Sequence, residues 1–314
     1  MKGNKPVIVI TGPTASGKTK VSIELAKRIN GEIISADSMQ IYKYMDIGTA
    51  KVTEEEKQGI MHHLLDIVDP RQTFSVAEFK ELALQCIREI TQKGKNPIIA
   101  GGTGLYINAL IYNVQFSEAD IDENLRKALE KEALEKGNEY LYEKLAKIDP
   151  VKASQIHKNN LKRIIRALEV YEKTKKAPSY HESMSMKVPP EYNFIVFGIN
   201  MKREVLYDRI NRRVDMMMES GLVEEVEYLY RHDMLGETAI QGLGYKEIIW
   251  YLRGEATLDE AVRILKRNTR RYAKRQMTWF KRIDGIIWIN VDELTEPEEI
   301  TKKIIKYIET HGVI

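Results

Sequence analysis

A phosphate-binding pattern, ITGPTASGKTK, occupies Ile10 to Lys20. It matches G-x-x-x-x-G-K-[ST], and the apolar run before it and the helical periodicity after it predict the strand and helix that such a loop needs. Glycines let backbone N–H groups converge on an anion, Lys18 adds a positive charge, and the Thr19 hydroxyl can bind Mg²⁺. These groups recognise oxygen atoms and charge, so the pattern predicts a bound phosphate chain without requiring a nucleoside. The residues expected to surround the anion are Gly12, Pro13, Thr14, Ala15, Ser16, Gly17, Lys18 and Thr19.

Two other stretches that could carry chemistry follow predicted strands. ADSMQIY places Asp37, Ser38, Met39 and Gln40 after the second strand, and GGTGLY places Thr103 among glycines after the third. Because the carboxyl ends of parallel strands meet at one edge of a sheet, we expect both loops to lie beside the phosphate loop. The sequence therefore predicts one composite site at this edge.

The role of Asp37 is open on the residues alone. Its carboxylate could bind Mg²⁺, accept a proton from a nucleophile, or cap a following helix. Gln40 can pair with the edge of an adenine, and Ser38 suits a base or a phosphate. The three side chains are as compatible with a nucleobase as with a metal ion.

The most basic stretch, RILKRNTRRYAKRQMTWFKRI at 263–283, contains nine Lys or Arg residues and no acidic residue. Steps of four residues predict two adjacent rows of cations on one side of a helix, with a docking face on the other side. A surface that carries only positive charge favours the binding of a polyanion, and nucleic acid is the natural candidate. The first row is Arg263, Arg267, Arg271 and Arg275, the second is Lys266, Arg270 and Lys274, and the docking face is Ala261, Leu265, Asn268 and Tyr272.

A second basic cluster consists of Lys162, Arg163 and Arg166. It could bind the same polyanion, or it could form ordinary salt bridges within its own helix.

Two further motifs are interpreted as structural and not as parts of a functional site. His62 and His63 are adjacent, so their side chains point in different directions, and no third metal ligand has suitable spacing. Met216, Met217 and Met218 fall in a helical pattern, which predicts core packing.

The composition is that of a soluble globular protein. The chain has 314 residues, 43% of them apolar, and a net charge of +3. Its single cysteine, Cys86, excludes an internal disulfide and lies in the apolar stripe of a predicted helix. We find no signal peptide and no membrane span, and we expect a cytoplasmic monomer.

Five apolar, β-rich runs alternate with helical patterns, which predicts an α/β fold with a parallel sheet covered by helices. The runs are 6–11, 32–37, 97–100, 193–199 and 285–291. Residues 116–190 show only charged, helical segments and end at Pro189 and Pro190. We predict an inserted all-helical domain at 116–190 within an α/β catalytic domain formed by 1–115 and 191–314.

The combination of motifs closely resembles the bacterial tRNA dimethylallyltransferases, from about residue 6 to 282. It comprises GPTASGKT, SADSMQIY, GTAK, HHLLDIVDP, GGTGLY, RIIRALE, SGLVEEV, GYKE and TRRYAKRQMTWF in this order. The resemblance implies a P-loop-type fold and transfer of a dimethylallyl group from dimethylallyl diphosphate to N6 of the adenosine just 3′ of the anticodon, assisted by Mg²⁺. The phosphate loop would then hold the diphosphate of the donor.

The resemblance also implies roles for individual residues. Asp37 would accept hydrogen from the exocyclic amine, and Thr103 would donate to the departing oxygen. Arg209 is the first choice for an arginine at the diphosphate and Arg213 the second, whereas Arg126 matches a position that contacts tRNA.

Three other functions are weighed against this one. An adenylate isopentenyltransferase would use the same site for free AMP or ATP, without needing a long cationic helix. A P-loop kinase would bind ATP, but the glycines of GGTGLY stand where such enzymes often carry an acid. An RNA-binding module with a vestigial loop is disfavoured by the intact phosphate-loop pattern.

Overall fold

The computed structural model describes residues 6–116, 122–185, 187–292 and 296–311. The chain forms two compact units. Unit 1 comprises Met1–Ile111 and Tyr192–Ile314, and unit 2 comprises Tyr112–Glu191. None of the described helices is both long enough and apolar enough to cross a membrane.

A six-stranded sheet with parallel pairing forms the centre of unit 1, in the order β3-β2-β4-β1-β5-β6. The strands are β1 (Val7–Thr11), β2 (Gly31–Ser35), β3 (His62–His63), β4 (Asn96–Gly101), β5 (Phe194–Met201) and β6 (Ile287–Val291). The α/β fold and the five predicted strands are confirmed. Strand β3 was not predicted, because two histidines form no apolar run.

Between residues 6 and 111, four α-helices precede unit 2. They are α1 (Lys18–Ile29), α2 (Glu54–Lys57), α3 (Val76–Gln92) and α4 (Gly104–Ile111). Helix α3 begins with a capping box in which Ser75 accepts from the Glu78 N–H and the Glu78 carboxylate accepts from the Ser75 N–H. Its predicted apolar stripe is confirmed, since Phe79, Ile87 and Cys86 are all buried.

Unit 2 is a helical unit with its own apolar core. Its helices are α5 (Glu123–Lys136), α6 (Asn138–Ile148), α7 (Pro150–Ser154), α8 (Leu161–Thr174) and α9 (Pro178–Ser185). Leu129, Leu141, Leu145, Ile164 and Leu168 are among the residues that form this core. The described part of this segment contains no strand, as predicted; residues 117–121 and 186 lie outside it.

In the described residues after unit 2 there are five α-helices, namely α10 (Arg203–Glu219), α11 (Leu222–Arg231), α12 (Tyr245–Leu252), α13 (Leu258–Phe280) and α14 (Pro297–Thr310). Helix α13 starts at a capping box formed by Thr257 and Glu260. Ala261 and Leu265 are buried on one side of α13, so the predicted docking of this helix on the core is confirmed for both residues.

Candidate active site

The phosphate loop joins β1 to α1 in a conformation that leaves the helix N-terminus open. Gly17 caps α1 at φ 89°, without a side-chain hydrogen bond to the first turn. Ala15 also has a left-handed backbone, with φ 63°. The first N–H groups of α1 therefore remain available to an anion.

Lys18 is the first residue of α1, and its Nζ donates to the Pro13 carbonyl at 2.7 Å. The pKa of this half-buried side chain is lowered from its usual value to about 7, mainly by burial and also by the charge of Arg213, against the opposing effect of Asp37. A bound anion would raise this pKa again, because it favours the charged ammonium.

The Ser16 hydroxyl is buried in the loop, where its Oγ lacks a hydrogen-bond partner among the described residues. Buried hydroxyls are normally paired. Thr19 is exposed and lines the same cavity as Lys18. A ligand oxygen would satisfy the Ser16 hydroxyl.

Asp37 caps a turn and not a helix. Its Oδ1 accepts from the N–H groups of Met39, at 2.9 Å, and Gln40, at 3.4 Å. Within the described ranges, these two bonds leave Oδ2 open to a ligand. The fixed carboxylate faces Lys18 and Arg213 closely enough to affect the pKa of each.

The loops that follow β2 and β4 are joined directly. Thr103 Oγ1 accepts from the Ser38 N–H at 3.0 Å and lies 3.3 Å from Ser38 Oγ. A Cβ on Gly101 would lie 2.2 Å from the Ala36 carbonyl oxygen, so only glycine permits this approach. The structure thus brings Asp37, Ser38 and Thr103 together at one edge of the sheet.

The side-chain amide of Gln40 is hydrogen-bonded within the protein. Its Nε2 donates to the carbonyls of Thr49, at 3.2 Å, and Ala50, at 3.3 Å, while its Oε1 lies 3.4 Å from Ser35 Oγ. Both N–H groups of the Gln40 amide are therefore already paired, whereas a bidentate contact to an adenine edge would need one of them.

The segment that Gln40 contacts is held by Glu225 of α11. The Glu225 carboxylate accepts from three successive backbone N–H groups, those of Asp46, Ile47 and Gly48, at 2.7 to 3.0 Å. It also accepts from the Tyr245 hydroxyl at 2.6 Å. One side chain thereby fixes the loop that presents its carbonyls to the site.

A cavity of about 360 Å³ connects these groups. Lys18, Thr19, Asp37 and Arg213 contribute polar atoms to its wall. Its apolar wall comprises Ile33, Val52, Leu65, Ile210, Val214, Met217, Leu243 and Leu265. The combination suits a ligand with a charged end and a short hydrocarbon end.

Both candidate arginines on α10 lie beside the phosphate loop. Arg213 lines the cavity, and its Nη2 donates to the Ala50 carbonyl at 3.3 Å. Arg209 Nη2 lies 3.7 Å from the position that a Cβ on Gly17 would take. Burial lowers the pKa of Arg213, and Asp37 opposes this shift.

The cationic face of α13 is narrower than predicted. Its first row, Arg263, Arg267, Arg271 and Arg275, is exposed. In the second row, however, Lys266 pairs with Asp215 at 2.5 Å and Arg270 Nη1 donates to Asn211 at 2.6 Å, because α10 packs alongside. Arg275, at the end of the first row, also lines the cavity.

In unit 2, two of the predicted RNA contacts form internal ion pairs. Arg126 makes two hydrogen bonds to the buried carboxylate of Glu169, at 2.7 and 3.1 Å, and Arg166 makes one at 2.9 Å. Lys162 and Arg163 are exposed.

Of the two adjacent histidines, His63 is paired within the protein, whereas His62 also lines the cavity, where its Nε2 has no hydrogen-bond partner among the described residues. His63 Nε2 lies 2.7 Å from buried Glu32, and His62 Nδ1 lies 2.9 Å from the Ile60 carbonyl. Among the described residues, no group of three or more potential ligands could hold a metal. The core prediction is wrong for Met216, which is 63% exposed because it points away from the packed side of α10.

Sequence reasoning missed Gln276, which contacts the phosphate loop and the glycine-rich loop after β4. The available signal was its spacing. Gln276 continues the four-residue steps of Asn268 and Tyr272 along the docking face of α13.

The model of the IPP transferase family matches residues 40–283. The chain belongs to the IPP transferase family. This IPP transferase is 65% identical to the tRNA dimethylallyltransferase of Acetivibrio thermocellus, with 98% of each chain covered. The resemblance seen in the motifs is thereby confirmed.

Solved structures agree with this assignment. The tRNA isopentenylpyrophosphate transferase of Bacillus halodurans is 46% identical, with a TM-score of 0.73 and 98% of each chain covered. A eukaryotic dimethylallyltransferase acting on tRNA is 30% identical, with a TM-score of 0.85 over 99% of this IPP transferase and 80% of the other chain.

Proposed function

We propose that this IPP transferase moves the dimethylallyl group of dimethylallyl diphosphate to N6 of the adenosine immediately 3′ of the anticodon in tRNA, and releases diphosphate. The observation that carries the proposal is the single cavity in which the Lys18 ammonium, the Asp37 carboxylate and an apolar wall meet. The names of its relatives support the same reaction. The activity belongs in the cytoplasm, with the tRNA.

The loop groups stabilise the leaving diphosphate. Breaking the allylic C–O bond leaves negative charge on the oxygen that bridged carbon and phosphorus. Lys18 and the open N–H groups of α1 can meet this charge, with Arg213 in the same cavity and Arg209 near Gly17. The Thr103 hydroxyl, which donates to Ser38 Oγ in this structure, would turn toward this oxygen when the donor binds. Removing one such donor typically costs about 3 kcal/mol of transition-state stabilisation.

Asp37 acts on the adenosine that receives the dimethylallyl group. An exocyclic amine is a weak nucleophile until its proton has an acceptor. Two backbone N–H groups hold Oδ1 of Asp37, which orients the carboxylate and leaves Oδ2 to face the amine. The proton passes to Asp37 as the N6–carbon bond forms.

The cavity fits a Mg²⁺ ion that is held mainly by its substrate. The Thr19 hydroxyl supplies a hard oxygen atom of the kind that Mg²⁺ prefers. The described residues offer no larger cluster of ligands, so the diphosphate would provide most of the coordination. When bound, the ion neutralises charge on the diphosphate.

The exposed arginine row of α13 binds the tRNA backbone. A base stacked in a loop cannot reach an enclosed cavity, so the target adenosine must flip out, at a cost of a few kcal/mol. Arg275 lies at the cavity end of the row and can contact the RNA next to the flipped base. In unit 2, exposed Arg163 is the better phosphate contact, because Glu169 holds both Arg126 and Arg166.

One assay separates the candidate functions. The protein is incubated with Mg²⁺, labelled dimethylallyl diphosphate and either unmodified tRNA or AMP. We expect label in tRNA and no consumption of ATP. Label in AMP alone would assign an adenylate transferase, and tRNA-dependent hydrolysis of ATP would contradict the role given to the phosphate loop.

Neutralising one arginine of the row should weaken tRNA binding and make it less salt-dependent. For Arg267→Gln or Arg271→Gln, we expect the slope of log affinity against log salt to fall by about 0.7 to 0.9 for each phosphate group that the variant no longer neutralises. Binding of the donor should not change. A salt titration of tRNA binding measures the slope.

Lys302→Gln on α14 is the matched control, because this exposed lysine carries the same charge on a different helix. Its slope should equal that of the unmodified protein. If all the arginine variants also kept the original slope, the row would be an ordinary solvated surface.

A further inference from the structure

Gln276 is 5% exposed on the inner side of α13, and its amide joins two loops of the site. Its Oε1 accepts from the Thr14 N–H of the phosphate loop at 2.9 Å. Its Nε2 donates to the Gly102 carbonyl at 2.8 Å. A single side chain thus connects the loop that holds Lys18 to the loop that holds Thr103.

The fit around this amide is tight. A Cβ on Gly102 would lie 2.4 Å from Gln276 Nε2, so the absence of a side chain there makes the contact possible. The two bonds also need opposite polarities, an acceptor toward Thr14 and a donor toward Gly102. A side-chain amide provides both in one planar group.

The two loops follow neighbouring strands, since β1 pairs with β4. Beyond the ends of β1 and β4, the hydrogen bonds of the sheet no longer set the distance between the two loops. The Thr103 hydroxyl must nevertheless meet an oxygen of a diphosphate bound by the phosphate loop. Displacements of about 1 Å in such an arrangement are enough to slow a reaction severely.

We propose that Gln276 is a positioning residue that sets the spacing between the diphosphate-binding loop and Thr103. The role rests on the proposed transfer reaction. Gln276 acts through the Thr14 N–H, which holds the shape of the phosphate loop, and through the Gly102 carbonyl, which places the next residue, Thr103. Its loss should therefore affect both diphosphate affinity and turnover.

Two substitutions of similar size separate this role from simple packing. Gln276→Met keeps the volume and removes both hydrogen bonds. Gln276→Glu can restore both bonds only as the protonated acid, which accepts from Thr14 and donates to Gly102. The ionised carboxylate would face the Gly102 carbonyl and the bound anion, and both raise its pKa.

For Gln276→Met, we expect affinity for inorganic diphosphate and kcat each to fall by about tenfold or more, equally at all pH values. For Gln276→Glu, the same losses at pH 8 should shrink toward the wild-type values as the pH falls to 6. Calorimetry with inorganic diphosphate and single-turnover transfer to tRNA measure the two quantities, each divided by the wild-type value at the same pH.

Thr278→Val, an exposed change two residues along α13, is the control and should keep wild-type values. The proposal is overturned if folded Gln276→Met, as judged by thermal melting, keeps wild-type diphosphate affinity and kcat. It is also overturned if the Gln276→Glu deficit does not depend on pH. Failure of the transfer reaction itself would show in the wild-type protein, whereas the diphosphate measurements report on Gln276 in either case.

Discussion

Asp37→Asn is expected to lower the rate of transfer at saturating substrates by about 100- to 10,000-fold, the usual contribution of a positioned base. Asparagine keeps the size of the side chain, and its Oδ1 can still accept from the Met39 and Gln40 N–H groups. It cannot take the proton of the amine. Affinity for tRNA should therefore stay within about threefold.

Single-turnover transfer and tRNA binding, measured on the same preparation, test this expectation. Asp208→Asn is the control, because Asp208 forms an exposed pair with Arg212 on α10. It should leave both quantities unchanged. Equal losses in rate and tRNA affinity for Asp37→Asn would assign Asp37 to RNA positioning instead of proton transfer.

Lys18→Met should stabilise the ligand-free protein while weakening diphosphate binding by about 10- to 100-fold. In the folded protein the pKa of Lys18 is lowered to about 7, mainly by burial. Between that value and about 10.5, the unfolded chain holds a proton that the folded chain has released. The contribution of Lys18 to the free energy of unfolding therefore rises with pH between about 7 and 10.5, and it is lowest below pH 7.

The increase in unfolding free energy caused by Lys18→Met should accordingly be largest at pH 7 and below. We expect about 1–3 kcal/mol there, after allowance for the partial exposure of Lys18. The increase should vanish near pH 10. Urea unfolding at the two pH values measures it. Lys20→Met, an exposed change on the same helix, should show no such difference. A pH-independent effect of Lys18→Met would remove burial as its cause.

Affinity of the wild-type protein for diphosphate follows from the same pKa. Because the anion binds the ammonium form, affinity should decline as the pH rises above about 7. This dependence should be absent from Lys18→Met.

Local patterns in the sequence predicted much of the fold and of the site. The phosphate loop has a fixed spacing that requires a strand before it and a helix after it, so Gly12 to Thr19 could be placed without a structure. The outward direction of Arg263, Arg267 and Arg271 follows from steps of four along one helix. Asp37 and Thr103 could be brought together because parallel strands end at one edge of the sheet.

Pairings between distant segments could not be predicted in this way. Glu169 forms ion pairs with two arginines of unit 2, and Lys266 forms an ion pair with Asp215 on another helix. The composition of α13 alone does not reveal such partners. Gln276 was overlooked for a related reason, since its function depends on two loops more than 170 residues away in the sequence.

The strand order has a consequence for synthesis of the chain. Strand β1 leaves the ribosome first, but its neighbours are β4 and β5, and β5 begins only at Phe194. All of unit 2 must therefore be translated before β1 is paired on both sides. During that interval an apolar strand presents unpaired N–H and C=O groups, which are open to pairing with another nascent chain.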